Sequence, residues 1–174
     1  IPLIYVSHAP DEVARLADHL VVLEQGGALA SGPLSETLAR LDLPIRLGED
    51  AGVVLEGEIA EVDADWYLAR VAFAGGSLWV RDNNLPIGQH VRVRILARDI
   101  SIALDTHPDS SILNVLPATV EQLADDTHPA LALVRLDAGG VPLIARITRR
   151  SAAKLDLRPG LKVWAQIKAV ALIG

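Results

Sequence analysis

VLEGEIAEV, residues 54–62, and VLPATVEQL, residues 115–123, are two copies of one pattern. The residues downstream of each copy repeat as well. Gly75-Gly76 has its echo in Gly139-Gly140, and PIGQHVRVRI (residues 86–95) in RPGLKVWAQI (residues 158–167). The offset drifts from 61 to 64 to 72 along these pairs, so insertions separate two diverged copies of one unit, about 53–106 and 111–174. Within each unit, short runs rich in Val, Ile and Leu are punctuated by Gly and Pro, the signature of antiparallel strands and hairpins. Residues 53–62, 68–73 and 77–81 read as strands. Residues 91–95 alternate Val, Arg, Val, Arg, Ile, which predicts one face in a core and the other solvated. Two small antiparallel barrels are the expected result, since closure removes the edges that short sheets would expose. In the second copy, RITRRSAAKLDL adds a short helix toward Leu157, with Ser151 as its expected cap.

Composition narrows the function. Hydrophobic residues make up 51% of the 174, but aromatics only 3%, so the core is aliphatic and base-stacking surfaces are scarce. A net charge of −6 and no basic run longer than Arg149-Arg150 argue against a polyanion, so no nucleic-acid partner is expected. The absence of Cys excludes disulfides, thiolate metal sites and thiol nucleophiles together. No apolar run reaches the roughly 18 residues of a membrane span, and a soluble chain is expected. There is no Met, even at position 1, which leads us to expect a natural start upstream.

The first 45 residues have a different texture. Residues 3–6 form a continuous apolar run, as in a strand covered on both faces. Pro10, Asp11 and Glu12 then open a helix whose stripe is Val13, Leu16 and Ala17. Residues 20–23 predict a second strand, Gly26-Gly27 a turn, residues 28–30 a returning strand, and residues 34–41 a short helix. The polar, Gly/Pro-punctuated stretch 44–52 is the expected boundary, dividing the chain into 1–45 and 46–174. His8 stands where α/β folds place ligands, at the end of a strand, although a surface or capping histidine fits the same position.

IYVSHAPDEVARLADHLVVLEQGGALASGP as a whole resembles the end of an ABC transporter nucleotide-binding domain, so 1–45 is read as an α/β remnant of one. The resemblance implies that His8 is the switch histidine that contacts the ATP γ-phosphate. Val13 and His19 depart from the family's alanine and arginine. No G-x-x-x-x-G-K-[ST] loop or second acidic strand is present, so ATP and Mg would be bound, and ATP hydrolysed, only in a longer parent.

The remaining candidates sit in the second copy. Ser110, Ser111 and Asn114 occupy a turn opening a strand; Thr148 and Ser151 lie three apart at a helix start; Lys168, one of three lysines, stands in an otherwise apolar run that reads as the last strand. Hydroxyls, backbone amides and one ammonium suit a small tetrahedral oxyanion. The same serines could equally be caps, with Lys168 pointing to water. From Val91 onward the chain resembles the accessory domain of molybdate ABC importers, related to molybdopterin-type, OB-like oxyanion-binding barrels (Mop or TOBE type). That resemblance implies a molybdate or tungstate site from Ser111, Asn114, Thr148, Ser151, Lys168 and Ala169, shared across a homodimer. Leu113 stands where the family motif has arginine, so binding is weaker or Arg149, Arg150 or the backbone compensates. A transmembrane permease partner and a peripheral place on the cytoplasmic face of the bacterial inner membrane are further implications. A ligand-free dimerisation domain, as in sugar-importer ATPases, is the competing reading.

Overall fold

A computed structural model describes residues 1–43 and 51–173. Residues 44–50, most of the expected boundary stretch, lie outside the described residues. The fold is mainly β, built on two five-stranded antiparallel sheets. The first copy supplies β3 (Gly52–Asp63), β4 (Leu68–Phe73), β5 (Gly76–Arg81), β6 (His90–Leu96) and β7 (Ile100–Ala103). The second supplies β8 (Asn114–Asp125), β9 (Leu131–Ala138), β10 (Val141–Thr148), β11 (Lys162–Ile167) and β12 (Ala171–Ile173). A two-stranded hairpin, β1 (His19–Glu24) with β2 (Gly27–Pro33), precedes them, beside helices α1 (Pro10–Leu16) and α2 (Leu34–Leu38).

The copies are not self-contained. One sheet runs β12-β6-β3-β4-β5 and the other β7-β11-β8-β9-β10, so each copy gives its fifth strand to the other. Leu172 pairs with Val93 in the first sheet, and Ile102 pairs with Ala165 in the second. The exchange explains why one continuous core holds Ile59, Leu78 and Ile95 of the first copy together with Leu136, Leu143 and Ile167 of the second.

The internal symmetry reaches individual hydrogen bonds. β3 carries a bulge between Ile59 and Glu61, and β8 the same bulge between Val120 and Gln122. At the first bulge Ile59 receives the Gly88 N–H and donates to the Gln89 carbonyl; at the second Val120 does the same with Gly160 and Leu161. Gly88 and Gly160 both have positive φ, 87° and 90°, which glycine adopts without the steric cost of a Cβ. The hairpin turns correspond one residue away from the sequence expectation. Phe73 pairs with Gly76 and Ala138 with Val141, so Ala74-Gly75 matches Gly139-Gly140. The two turns also touch: a Cβ on Gly75 would lie 2.0 Å from the Ala138 carbonyl oxygen.

In the N-terminal part, the strand expected at residues 3–6 is not formed. Residues 1–9 have no secondary structure, and Ile1, Leu3, Ile4, Tyr5 and Val6 are exposed. An apolar strand of this kind needs a ladder neighbour and covering layers, and none of the described residues provides them. The helix expected over residues 34–41 is shorter, ending at Leu38. The β1–β2 hairpin turns at Gln25-Gly26, both with positive φ. Ala14, Leu34 and Val54 form a small second apolar cluster that seats α1 and α2 on β3, with Ile173 of β12 packed against it.

The polar face of β6 is covered, contrary to what its alternation suggested. Arg92 donates to the carbonyls of Arg15 and Ala17 at 3.1 and 3.0 Å, closing the C-terminal end of α1, and pairs with Asp18 and, at 3.3 Å, Glu56. Arg94 pairs with Asp11. Arg135 of β9 does the same for α2, donating to Ala39 O, Glu36 and Glu121 at 3.1, 3.1 and 2.7 Å. A cation at a helix C-terminus meets unpaired carbonyls and the negative end of the dipole.

Candidate functional site

Each residue of the expected oxyanion set has a definite place. Thr148 is the N-cap of α3 (Arg149–Lys154), in the role expected of Ser151. Its Oγ1 accepts the Ser151 N–H at 3.0 Å and lies 2.8 Å from Ser151 Oγ, so the two hydroxyls form one exposed polar point. The reason for the correction is helical phase: helix geometry begins at Arg149, which leaves Ser151 in the first turn as the donor that the cap satisfies. Ser111 is exposed in the loop before β8, where Ser110 Oγ accepts the Ile112 N–H at 3.1 Å.

Asn114 is buried, and its amide is engaged. Its Oδ1 accepts the Trp79 N–H at 2.7 Å and its Nδ2 donates to the Trp79 carbonyl at 2.8 Å, so the side chain completes the outer edge of β5. Lys168 is not in a strand. It lies in the connection between β11 and β12, where the chain crosses from one sheet to the other; its N–H donates to the Asp99 carbonyl at 2.8 Å and its side chain is exposed.

The structure brings these residues together in two groups rather than one. Asn114 pairs with Ile167, which sets the end of the Ser111–Asn114 loop beside Lys168 and Ala169. Thr148 pairs with Leu131, at the other end of the same sheet near Asp125. Twelve residues of β8 separate the two ends, on the order of 35 Å at the usual rise per residue. Within one chain the groups cannot meet on one small anion.

His8 is exposed, on the segment before α1. Its neighbours are held by Glu12, which accepts from Ser7 Oγ at 2.8 Å and Tyr5 Oη at 2.9 Å. These hydrogen bonds, Ser7 first, lower the Glu12 carboxyl. Among the described residues no group of His, Asp and Glu could hold a metal ion. Among those same residues, no helix is long and apolar enough to cross a membrane.

Sequence reasoning missed a buried ion pair beside α3. Arg146 Nε lies 2.6 Å from Asp126 Oδ2, and the Thr127 N–H donates to Asp126 Oδ1 at 2.6 Å. Burial pushes the Asp126 carboxyl up, but the Thr127 amide and the Arg146 guanidinium outweigh it and hold it below the usual carboxylate range. Arg149 N–H also donates to Ala130 O at 2.8 Å. The 126–130 loop thereby fixes the strand that leads into Thr148. The only sequence signal was the arginine of the IARITRRS stretch, and an arginine in a sequence does not by itself announce a buried partner. The Arg92 and Arg135 clamps were missed for the same reason.

Residues 110–174 match the family model of the TOBE domain. The fold is shared with the cytoplasmic molybdate-binding protein ModG, solved with molybdate bound: TM-score 0.57 and 26% identity, over 70% of this chain and 95% of that one. By fold and motif, then, the chain carries a TOBE domain in a ModG-like β architecture. Among curated proteins it is 64% identical over 174 residues to the molybdenum import ATP-binding protein ModC of Thiobacillus denitrificans. That alignment covers 100% of this chain and 48% of the relative. The ModC proteins of Methylococcus capsulatus and Pseudomonas aeruginosa are 57% and 53% identical, each over 99% of the chain and 49% and 48% of the relative. The chain therefore spans about half the length of these relatives, and its residues 110–174 carry the TOBE domain.

Proposed function

We propose that the chain is the oxyanion-sensing part of the ATPase subunit of a molybdate importer. It binds molybdate or tungstate between two copies of itself. The observation that carries the reading is the separation of the two donor groups by the length of β8. One copy offers Ser111, Asn114, Lys168 and Ala169, the other Thr148 and Ser151. In a two-fold dimer the opposite ends of two chains are brought together twice, giving two equivalent sites. The donor set fits the cargo: hydroxyls, amides and an ammonium surround a compact dianion without an opposing carboxylate. Asn114, held by Trp79 through Oδ1 and one Nδ2 hydrogen, positions its loop, and its second Nδ2 hydrogen is the donor it offers the anion. The 64% identity to a molybdenum import protein and the likeness to a molybdate-bound protein support this ligand class.

In the longer parent, His8 acts as the γ-phosphate switch, beside a permease at the cytoplasmic face of the inner membrane. An anion shared by two accessory domains favours one arrangement of the ATPase dimer, and that differential affinity is what lets internal substrate restrain uptake. A ligand-free dimerisation module is favoured by one observation, the mutual satisfaction of Thr148 and Ser151.

Calorimetric titration with molybdate, tungstate and sulfate decides between the two, and complementation tests the sharing. Lys168→Ala and the double variant Thr148→Val/Ser151→Ala should each lose affinity by about tenfold or more, and so give little heat at anion concentrations that fill the wild-type sites. An equal mixture should recover about a quarter of the wild-type sites, because half the dimers are mixed and each has one intact site. No heat with any anion leaves the scaffold reading. Binding by a strictly monomeric chain rejects the shared site.

A further inference from the structure

The end of β12 joins two parts of the molecule that the repeat pattern treats as separate. The strand begins two residues after Ala169, and it is only three residues long. In the first sheet Ala171 lies opposite Arg94 and Ile173 opposite Arg92. These are the arginines that hold α1, Arg94 through Asp11 and Arg92 through Asp18 and the carbonyls of Arg15 and Ala17. Ile173 also packs against the Ala14–Leu34–Val54 cluster under the same helix. The connection from Lys168 to α1 is therefore both polar, through β6, and apolar, through Ile173. Helix α1 starts two residues after His8, and at seven residues it owes its stability to what it docks on.

We propose that Arg92 is the positioning residue that links the Lys168–Ala169 connection to the segment carrying His8. The inference rests on oxyanion binding at Lys168. An anion held there orders residues 168–170 and with them β12; the firmer β12 ladder steadies β6, and Arg92 passes that order to the C-terminal end of α1. A three-residue strand is the part of the fold where such ordering has the most to gain. Arg92 suits the task because one guanidinium grips two main-chain carbonyls and two carboxylates, Asp18 and Glu56, which lie on different elements.

Hydrogen exchange read by mass spectrometry on the 174-residue chain, with and without saturating sodium molybdate, tests the link. Calorimetry is run on the same samples. In the wild type, molybdate should slow exchange in peptides covering residues 10–18 about fivefold, the size expected of a modest coupling between sites. Arg92→Ala should keep the binding heat and lose the slowing. A purely structural role for Arg92 would speed exchange equally with and without the anion, so retained slowing in this variant overturns the proposal. If Arg92→Ala does not fold, Arg92→Lys is read the same way, since an ammonium cannot hold the four acceptors together. Arg158→Ala, whose partner Asp156 is two residues away, should behave as wild type. Heat without slowing in the wild type overturns the link and leaves oxyanion binding standing. No heat at all removes the reading beneath it as well.

Discussion

The Asn114 side chain forms two hydrogen bonds with the backbone of Trp79, at 2.7 and 2.8 Å, from the first residue of β8 to the outer edge of β5. An amide side chain reproduces the donor and acceptor of a neighbouring strand, so the edge of the first sheet is closed by a single residue of the second copy. Asn114→Ala leaves a partly buried N–H and C=O without partners and should lower stability by about 2–3 kcal/mol. Urea unfolding measures it. Asn114→Asp sets an acceptor against the Trp79 carbonyl and should cost at least as much; a change within about 0.5 kcal/mol for Asn114→Ala would mean that the edge is not held this way.

The Asp126–Arg146 pair predicts an acid response. The Asp126 carboxyl titrates below its ordinary value of 3.8 in the folded chain, so the unfolded state binds a proton first as pH falls. The pair's contribution is complete above about pH 5 and declines as pH drops through the ordinary value toward the lowered folded one. Asp126→Asn should destabilise at pH 7 by about 2 kcal/mol, since it removes the charged acceptor of the Arg146 guanidinium and of the Thr127 N–H. The difference from wild type should shrink at pH 3. Urea midpoints of both proteins at the two pH values check the sign.

Two glycines separate crowding from backbone strain. A methyl on Gly75 meets the Ala138 carbonyl oxygen at 2.0 Å and the Phe73 ring at 2.8 Å, so one of the touching turns must move. Gly88 has φ +87° but nothing within 4 Å. Gly88→Ala should cost about 1 kcal/mol, as left-handed backbone does for a residue with a Cβ. Gly75→Ala should cost about 2–3 kcal/mol, as overpacking does. Thermal unfolding ranks the two.

Among the described residues, the hydrogen bond that Lys168 contributes to the fold is from its main-chain N–H to Asp99 O. Lys168→Ala should leave the unfolding midpoint unchanged within about 0.5 kcal/mol. Molybdate affinity should fall by about tenfold or more, because a charge-assisted hydrogen bond is lost. Equal affinity of Lys168→Ala and wild type would remove the ammonium from the site.

Much of this molecule is set by local pattern. Alternating aliphatic runs place β3, β6 and β8, paired glycines place the hairpins, and the 54–62 and 115–123 repeats foretell that both copies bend alike at Ile59 and Val120. These features arise from steric preferences and side-chain periodicity within a few residues, so sequence alone determined them. The oxyanion candidates were picked out by residue type and by resemblance to a family, and their joint role belongs to the proposal above. What the tertiary structure alone decided is which strand completes which sheet, that Thr148 and Lys168 lie at opposite ends of β8, and that Arg92 and Arg94 grip α1 instead of facing water. Alternation says that one face of a strand is polar. It does not say what covers that face, because the covering groups come from distant parts of the chain, here Asp18 and Arg92, 74 residues apart, whose meeting depends on the packing of the whole chain.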